Sequence, residues 1–442
     1  MSMTNPSHAD SSIPGDSDDQ SIQNQVANEG HRIIVKYRDG AAKSMAAFKT
    51  MADRISNSTG RAMTHMHSTG TGAQVFELNE TLTTEELQGI IQEIENDPTV
   101  EYAEPDILVQ PFFTPTDPYY NEQLHYYDDK TGARLPDAWD ITQGEGVIVA
   151  VVDSGYTKHE DLVGNLQLPG YDMIGDVKLS TDGDGRDKDA FDSGTYDAEC
   201  KGITQNTWHG THTSGTVAAV SNNIGVTGVA FKAKVLPVRV LGKCNAGWLS
   251  DFSDAIIWAA GGKLKGVPTN KTPAQVINLS LGAEKKTCSN TMQNAIHQAR
   301  GLGATVVVSA GNENKNASGV EPGNCDGVIN VASIDKKGNR AKFSNYGDVV
   351  DIAAPGVGIL STYNSGTTEF GSDNYMYMDG TSMSAPHVSG VAALLYSAKP
   401  DITPDEVEQV LKDTARPFPG KCDGCGAGLL DAAAAVKAVS SQ

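Results

Sequence analysis

The stretch VIVAVVD, residues 147–153, is a continuous apolar run that ends on an aspartate. Further apolar runs of this kind follow it: KVLPVRVL (234–241), QVINLSL (275–281), ATVVVSA (304–310) and VINVAS (328–333). Helix-like stretches lie between them, at 209–220, 249–261 and 290–302. Buried strands that alternate with helices predict an α/β fold, a parallel sheet covered by helices on both faces. Functional sites of such sheets lie outside the carboxyl ends of the strands.

The preceding part of the chain has shorter elements. We predict strands and helices in the order β-α-β-α-β, at 33–37, 41–55, 73–78, 83–96 and 100–106. Thr83 followed by Glu86 is a capping box that opens the second helix. This order predicts a small α+β domain. Residues 1–30, rich in Ser, Asp, Asn and Gln, are expected to be disordered, and residues 107–117 to be a linker.

Charge and cysteine content limit the class of protein. The chain of 442 residues has 55 acidic and 34 basic residues, a formal charge of −21, so nucleic acid and anionic membranes are not expected partners. No apolar run reaches transmembrane length. Six cysteines with no zinc pattern are compatible with three disulfides in an oxidising compartment. The first residues carry no export signal, so we expect that one was removed or that the protein stays inside; the cysteines favour removal.

Four polar residues stand where the carboxyl edge of the predicted sheet would lie. VVDSG ends the first run with Asp153, NTWHGTHTSG carries His209, SAGNEN carries Asn312 and GTSMSAPHVSG carries Ser382. Taken singly, each also fits a turn, a cap or a packed core position. Together they fit nucleophilic catalysis, since an imidazole can take the serine proton and a carboxylate can orient the imidazole. Asn312 could donate to an oxyanion.

With these motifs in the order Asp…His…Ser, the chain resembles the subtilisin-like serine proteases (subtilases). The resemblance implies a catalytic domain over 113–442 and an inhibitor-type propeptide of ferredoxin-like fold over 31–112. It assigns Asp153 as the orienting acid, His209 as general base and Ser382 as nucleophile. Asn312 and the Ser382 N–H would form the oxyanion hole, and His212 and His387 would be structural. The implied substrate-binding residues are Asn245, Ala246 and Gly247, which would pair with the substrate backbone, and the pocket walls Ser280, Leu281, Gly282, Ser309, Ala310 and Gly311.

Calcium is the expected cofactor, with two or more structural ions. The segment DGDGRDKDAFD (182–192) carries five aspartates whose mutual repulsion a cation would relieve, although a solvated acidic loop is the alternative. Its candidate ligands are Asp182, Asp184, Asp187, Asp189 and Asp192. A second site follows from the resemblance, since TPTDPYY (114–120) is similar to a thermitase-type mature N-terminus. Its implied ligands are Asp117, Asp161, Val220, Asn222, Ile224 and Val226.

The resemblance also implies a zymogen. Protein and peptide substrates are expected, with the chain's own propeptide as intramolecular inhibitor, no nucleic-acid or membrane partner, and a secreted monomer. Self-cleavage is expected near Phe112–Phe113, which suggests that a large apolar residue precedes the scissile bond. The cysteine pairs proposed from positions in this fold are Cys200–Cys244, Cys288–Cys325 and Cys422–Cys425.

Three other hypotheses remain open at this point. An intracellular subtilase is disfavoured by the propeptide and the cysteines. A non-catalytic binding protein on the same fold would need a broken triad, and all four residues are present. A stable, uncleaved and self-inhibited complex differs from a zymogen only in whether the chain is processed. G-x-S-x-G hydrolase chemistry fails because Ser384 replaces the second glycine, and HEDL (159–162) is not a zinc motif because Val163 follows it.

Overall fold

The computed structural model describes residues 30–39, 44–107 and 113–440. They belong to two compact units with a division after residue 111. Residues 1–29, nearly all of the segment that we expected to be disordered, lie outside the described residues. So do residues 40–43 and 108–112 of the expected propeptide and residues 441–442 of the expected catalytic domain. None of the described helices combines the length and the apolar composition needed to cross a lipid bilayer.

The first unit is a four-stranded antiparallel sheet with two helices. Its elements are β1 (Gly30–Tyr37), α1 (Met45–Thr59), β2 (Met63–Ser68), β3 (Gln74–Leu82), α2 (Thr84–Glu95) and β4 (Val100–Pro105). The strand order is β2-β3-β1-β4. The core joins alternate residues of β1, such as Ile33 and Val35, to apolar residues of both helices. The small α+β fold is confirmed, and so is the Thr83–Glu86 capping box; strand β2 was missed.

The second unit contains the following helices and strands: α3 (Leu124–Tyr127), α4 (Leu135–Trp139), β5 (Ile148–Asp153), β6 (Tyr171–Asp172), α5 (Val177–Ser180), α6 (His209–Ala218), β7 (Lys234–Arg239), α7 (Leu249–Ala259), β8 (Val276–Leu279), β9 (Ala283–Glu284), α8 (Asn290–Gly301), β10 (Thr305–Ser309), β11 (Val320–Glu321), β12 (Ile329–Ile334), β13 (Ile352–Pro355), β14 (Ile359–Asn364), β15 (Asp373–Met378), α9 (Thr381–Ala398), α10 (Pro404–Asp413) and α11 (Ala432–Ser440).

Seven of these strands form one sheet in the order β13-β12-β10-β8-β5-β7-β6. Every neighbouring pair in it is parallel, which confirms the predicted parallel sheet. The order reverses around β5, so chain segments that are far apart in sequence meet at the carboxyl ends of β5, β8 and β10. The other strands form two antiparallel pairs, β9 with β11 and β14 with β15.

Helices cover both faces of the sheet, and the alternation of side chains along β5 shows how. Val149 and Val151 belong to the core that contains α6, α9 and α11. Ala150 and Val152 belong to the core that contains α7 and α8. Both faces of β5 are therefore dry, which explains why its sequence is continuously apolar rather than alternating.

The predicted linker at residues 107–117 is shorter than we expected. The Phe113 ring stacks on Phe231 with 5.1 Å between centroids, and its backbone N–H donates to Asp140 Oδ1 at 2.8 Å. Asp117 is only 3% exposed. Residues 113–117 are thus packed into the second unit, and our prediction was wrong for them because a proline-containing segment without periodicity can still dock by its individual side chains.

Candidate active site

Asp153 and His209 form a close pair at the carboxyl end of β5. Asp153 ends the strand and is completely buried. His209 begins α6, and its Nδ1 lies 2.8 Å from each carboxylate oxygen of Asp153. A carboxylate only accepts, so the Nδ1–H donates and Nε2 remains the proton acceptor of the neutral ring. Burial by itself lowers the pKa of His209, but the charge and hydrogen bond of Asp153 outweigh burial and raise that pKa above its ordinary value.

Gly210 allows the close approach of α6 to the end of β5, and Gly155 allows the close approach of the segment around Ala190. A Cβ on Gly210 would lie 2.2 Å from the carbonyl oxygen of Gly155. A Cβ on Gly155, whose φ is +103°, would lie 2.3 Å from the carbonyl oxygen of Ala190. No side chain fits at either position without moving the backbone. The sequence therefore needs glycine at both positions, two residues after Asp153 and directly after His209.

Ser382 is the second residue of α9 and lies beside the end of β8. Its Oγ donates to the carbonyl oxygen of Ser280 at 3.1 Å, and Ser280 Oγ donates back to the carbonyl oxygen of Ser382 at 2.9 Å. The described residues include no hydrogen bond between Ser382 and His209. Hydrogen bonds used in catalysis are often long or unformed in substrate-free sites.

Asn312 follows β10, and hydrogen bonds to its side-chain oxygen hold its side chain in place. Asn312 Oδ1 accepts from the N–H of Thr381 at 2.8 Å and from its hydroxyl at 2.9 Å. No hydrogen bond from Nδ2 is found among the described residues, so its two N–H groups can donate to another group beside Ser382. Sequence reasoning missed Thr381, although its place directly before Ser382 was a signal that the pair might be coupled to the same loop.

A pocket of about 120 Å³ opens beside Ser382. Four of the expected wall residues line it, namely Leu281, Gly282, Ser309 and Gly311, whereas Ser280 and Ala310 do not. The residues that sequence reasoning missed are Ala283, Glu284, Glu313 and Val320. The Glu313 carboxylate accepts from the backbone N–H of Asn312 at 3.0 Å and from the side-chain amide of Asn345 at 2.8 Å, so it braces the loop that holds Asn312.

Asn245, Ala246 and Gly247 follow the end of β7 in a tight turn. Gly242 N–H donates to the carbonyl oxygen of Ala246 at 3.0 Å, and a Cβ on Gly247 would lie 2.1 Å from the carbonyl oxygen of Val240. A disulfide joins Cys244 in this turn to Cys200, in the segment that leads to α6. The other disulfides are Cys288–Cys325 and Cys422–Cys425. These are the three pairs that fold position suggested.

Two expected calcium ligands, Asp117 and Asp161, are buried carboxylates that meet the loop 220–226. Asp117 accepts from Ser221 Oγ at 2.8 Å and from the N–H of Asn222 at 2.9 Å. Asp161 Oδ2 accepts from the N–H of Val226 at 2.9 Å, and its Oδ1 has no partner among the described residues. Burial, together with the charge of Asp117, raises the pKa of Asp161 to about 8.

This donor set fits calcium. The carbonyl oxygens of Val220, Ile224 and Val226 accept no hydrogen bond from any described residue. The Asn222 side-chain oxygen accepts only the N–H of Ile224, at 2.9 Å. Carboxylate, amide and carbonyl oxygens are the ligands that calcium takes. An orphaned carboxylate oxygen in a dry site also calls for a positive charge.

The aspartates of the acidic loop are spread out, and one of them forms an ion pair. Among the described residues, no three of Asp182, Asp184, Asp187, Asp189 and Asp192 bring ligand oxygens within 4.8 Å of one another. Asp182 instead forms an ion pair with the buried Arg239 at 2.6 Å. Arg186, inside the loop, pairs with Asp251 and Asp254. The partners in these ion pairs, Arg239, Asp251 and Asp254, lie outside the acidic stretch, and calcium binding by the loop stays a prediction.

The comparisons with known proteins agree with this site. The sequence pattern of the Subtilase family matches residues 144–429. An extracellular protease of Xanthomonas campestris pv. campestris is 45% identical over 429 residues, 93% of this chain and 73% of the relative. An extracellular basic protease of Dichelobacter nodosus is 44% identical over 92% of this chain and 70% of the relative.

A solved protease structure from Pseudoalteromonas arctica PAMC 21717 is also similar. It has a TM-score of 0.73 and 55% identity, and the match covers 74% of this chain and 100% of that chain. An α/β unit with this order of motifs at the sheet edge belongs to a defined class of hydrolases. The chain belongs to the subtilase family and is a subtilisin-like serine protease.

Proposed function

We propose that Asp153, His209 and Ser382 are the catalytic triad of a secreted protease made as a zymogen. The single observation that carries this proposal is the pair of 2.8 Å contacts from His209 Nδ1 to the buried Asp153 carboxylate. A fully buried carboxylate is costly unless a positive or polar partner faces it. Here the partner is an imidazole whose other nitrogen is free to accept a proton.

The reaction follows from these contacts. Ser382 Oγ leaves the Ser280 carbonyl, gives its proton to His209 Nε2 and attacks the substrate carbonyl carbon. Asp153 stabilises the imidazolium that forms, without taking the proton itself. Asn312 Nδ2 and the Ser382 N–H donate to the oxyanion of the tetrahedral intermediate. His209 then gives the proton to the leaving amine, and a water molecule hydrolyses the acyl-enzyme by the reverse sequence.

The substrate groove is proposed to bind the peptide before the scissile bond. Asn245, Ala246 and Gly247 add to the substrate as a strand. The pocket beside Ser382 accepts a large apolar side chain, because Leu281, Ala283 and Val320 supply apolar walls. Its two glutamates do not argue for a basic substrate, since Glu313 is bound to Asn312 and Asn345 and Glu284 pairs with Lys315.

Residues 31–112 are proposed to be the inhibitory propeptide and residues 113–442 the monomeric mature protease. The first unit is a separate compact body with its own core, as a detachable inhibitor requires. Phe113 is anchored to the second unit by its ring and its backbone N–H. Cleavage near Phe112–Phe113 would therefore free the first unit and leave a mature N-terminus that is already docked.

Calcium is proposed to bind Asp117, Asp161, Asn222 and the carbonyls of Val220, Ile224 and Val226. When bound, it supplies positive charge that compensates two buried carboxylates; it takes no part in the chemistry. Asp117 lies only four residues after Phe113, so its binding would tie the mature N-terminus to the loop 220–226. Secretion is proposed because the matched relatives are named extracellular proteases and because three disulfides suit an oxidising compartment.

The test is to express the full chain with calcium as wild type, as Ser382→Ala and as the control Ser318→Ala at an exposed position. Mass and casein hydrolysis are followed together over time. Wild type and control should lose the segment up to about residue 112 and gain activity, while Ser382→Ala stays intact and inactive. A Ser382→Ala protein that processes itself and hydrolyses casein at the wild-type rate would falsify the proposal.

A further inference from the structure

Asp192 is the last residue of the acidic loop and contacts Ser154, which lies next to the Asp153–His209 pair. It is completely buried. Its Oδ2 accepts from the hydroxyl of Ser154 at 2.7 Å, and its Oδ1 accepts from the N–H of Gly194 at 2.9 Å. Ser154 directly follows Asp153. This carboxylate, which we expected to bind metal, is therefore directed toward the proposed triad.

Ser154 connects Asp192 to the residues on either side of the triad contact. Its backbone N–H donates to Asp153 Oδ1 at 2.7 Å. Its Oγ accepts from the N–H of Gly210 at 3.0 Å while it donates to Asp192. Gly210 directly follows His209. One hydroxyl thus fixes the peptide after His209, and the Asp192 carboxylate orients that hydroxyl and strengthens its acceptance.

We propose that Asp192 is a positioning residue for the hydrolytic reaction, a second buried carboxylate that acts through Ser154 to hold His209 in place and to favour its imidazolium form. This inference rests on the proposed triad. It assigns Asp192 no proton transfer and no contact with substrate. Its effect is greatest when His209 carries the proton taken from Ser382, because that is when a nearby negative charge is stabilising.

A carboxylate at this position is costly for the fold, which favours a functional reason for it. Burial raises the pKa of Asp192 to about 6, although the hydrogen bonds from Ser154 and Gly194 work in the opposite direction. An asparagine could accept from Gly194 and keep the same shape, but its NH₂ group could not accept the proton of the Ser154 hydroxyl. Asp192 thus supplies two acceptors at this position, and its charge strengthens both hydrogen bonds.

The other charged and titratable groups around the pair do not cancel this effect. His209 also faces Asp153, which shares its Nδ1 proton, and His212, which burial keeps neutral by lowering its pKa to about 4. Arg239 and Tyr363 interact electrostatically with Asp192. Arg239, however, forms ion pairs with Asp172 and Asp182. Among the described residues, no cation forms an ion pair with Asp192, so its negative charge is not neutralised by a direct partner.

The experiment compares the mature enzyme as wild type, Asp192→Asn and the control Asp326→Asn, which removes one exposed carboxylate. Hydrolysis of a peptide anilide is measured from pH 5 to 10, together with thermal unfolding at pH 8. We expect Asp192→Asn to lower the midpoint of the acid limb of kcat/KM by about one pH unit and the plateau of kcat by about tenfold. The KM of Asp192→Asn should stay unchanged and its Tm should not fall. The control Asp326→Asn should have wild-type kcat, KM and pH profile.

A second variant, Ser154→Ala, removes the hydroxyl that links Asp192 to Gly210 and keeps the Asp192 carboxylate. It should lower the plateau of kcat while moving the acid limb less than Asp192→Asn does. An Asp192→Asn enzyme with wild-type kcat and midpoint overturns the inference, and so does a loss of activity that only follows a loss of Tm. Ser382→Ala and His209→Ala in the same assay separate the two proposals. If either variant keeps wild-type activity, the proposed triad is wrong, and this inference is wrong with it. If both variants are inactive, an Asp192→Asn enzyme with wild-type kcat and midpoint overturns this inference alone.

Discussion

Replacing Asp161 by asparagine is predicted to change stability in opposite directions with and without calcium. Asp161 is completely buried, and among the described residues its Oδ2 accepts from the N–H of Val226 while its Oδ1 has no hydrogen bond of ordinary geometry. Burial is the main reason why its pKa is raised to about 8, and the charge of Asp117 adds to it. In the calcium-free protein at pH 8.5, Asp161 is therefore an uncompensated buried charge.

The magnitude follows from the difference between the two states of the chain. An unfolded aspartate has a pKa of about 3.9, below the folded value of about 8. The protonated acid therefore adds stability that is present in full below about pH 4 and is lost as the pH rises through about 8. At ~1.4 kcal/mol per pKa unit the loss is at most roughly 6 kcal/mol, and roughly 3 kcal/mol once water and local relaxation are allowed for.

Asp161→Asn removes the charge and keeps an acceptor for Val226. In chelator at pH 8.5 it should raise the free energy of unfolding by roughly 3 kcal/mol. In saturating calcium it should lower the free energy of unfolding, because a charged ligand is lost and with it part of the binding energy that calcium adds to the folded state.

The assay is urea unfolding in a Ser382→Ala background, which prevents self-digestion, at pH 5.5 and 8.5 with calcium or chelator. Glu160→Gln, the exposed neighbour, is the matched control and should behave as the parent in all four conditions. An effect of Asp161→Asn with the same sign and size in calcium and in chelator would refute the reasoning, because the ion would then have no relation to this carboxylate.

Three further predictions concern the reaction and the fold. Asn312→Ala should lower kcat by about 10²–10³ with little change in KM in a peptide-anilide assay; a change confined to KM would contradict an oxyanion role. Because the pKa of His209 is raised and the neutral imidazole is the base, kcat/KM should rise with pH through a midpoint above 6.5; a midpoint below 6 would remove Asp153 as the dominant influence. Gly210→Ala should destabilise by about 2 kcal/mol or more in urea unfolding, since its Cβ would lie 2.2 Å from the Gly155 carbonyl; wild-type stability would mean that this approach can relax.

The parallel sheet could be predicted because burial on both faces imposes a continuous apolar run on each central strand. Strands at the margins lack that signal. The β2 sequence MTHMHS is mostly exposed, and the β13 sequence IAAP ends in proline. β2 was missed because a strand paired with a neighbour does not need an apolar composition of its own. β13 is buried at all four positions, but it is too short for its apolar run to stand out.

The motifs that carry the four proposed catalytic residues could be recognised, because the reaction restricts the residue types around each of them. The residues that hydrogen-bond to these motifs could not be recognised from the sequence. Thr381 binds Asn312 across 69 positions, and Ser154 binds Gly210 across 56. The ion pair between the acidic loop and Arg239 was missed for the same reason, since Arg239 lies 57 positions from Asp182. Contacts of this separation depend on how the sheet brings its carboxyl ends together, which local patterns do not specify.

The most direct measurement of the central claim is the site of covalent labelling by a serine-directed sulfonyl fluoride. The mature protein is treated, digested and mapped by mass spectrometry. His209→Ala, freed of residues up to about 112 by an added protease, is treated in parallel. The account predicts one sulfonyl group, on Ser382, with activity lost in proportion to labelling and almost no labelling of His209→Ala. Hydrolysis that continues at full rate after complete labelling of Ser382, or activity lost through a label on another residue, would contradict it.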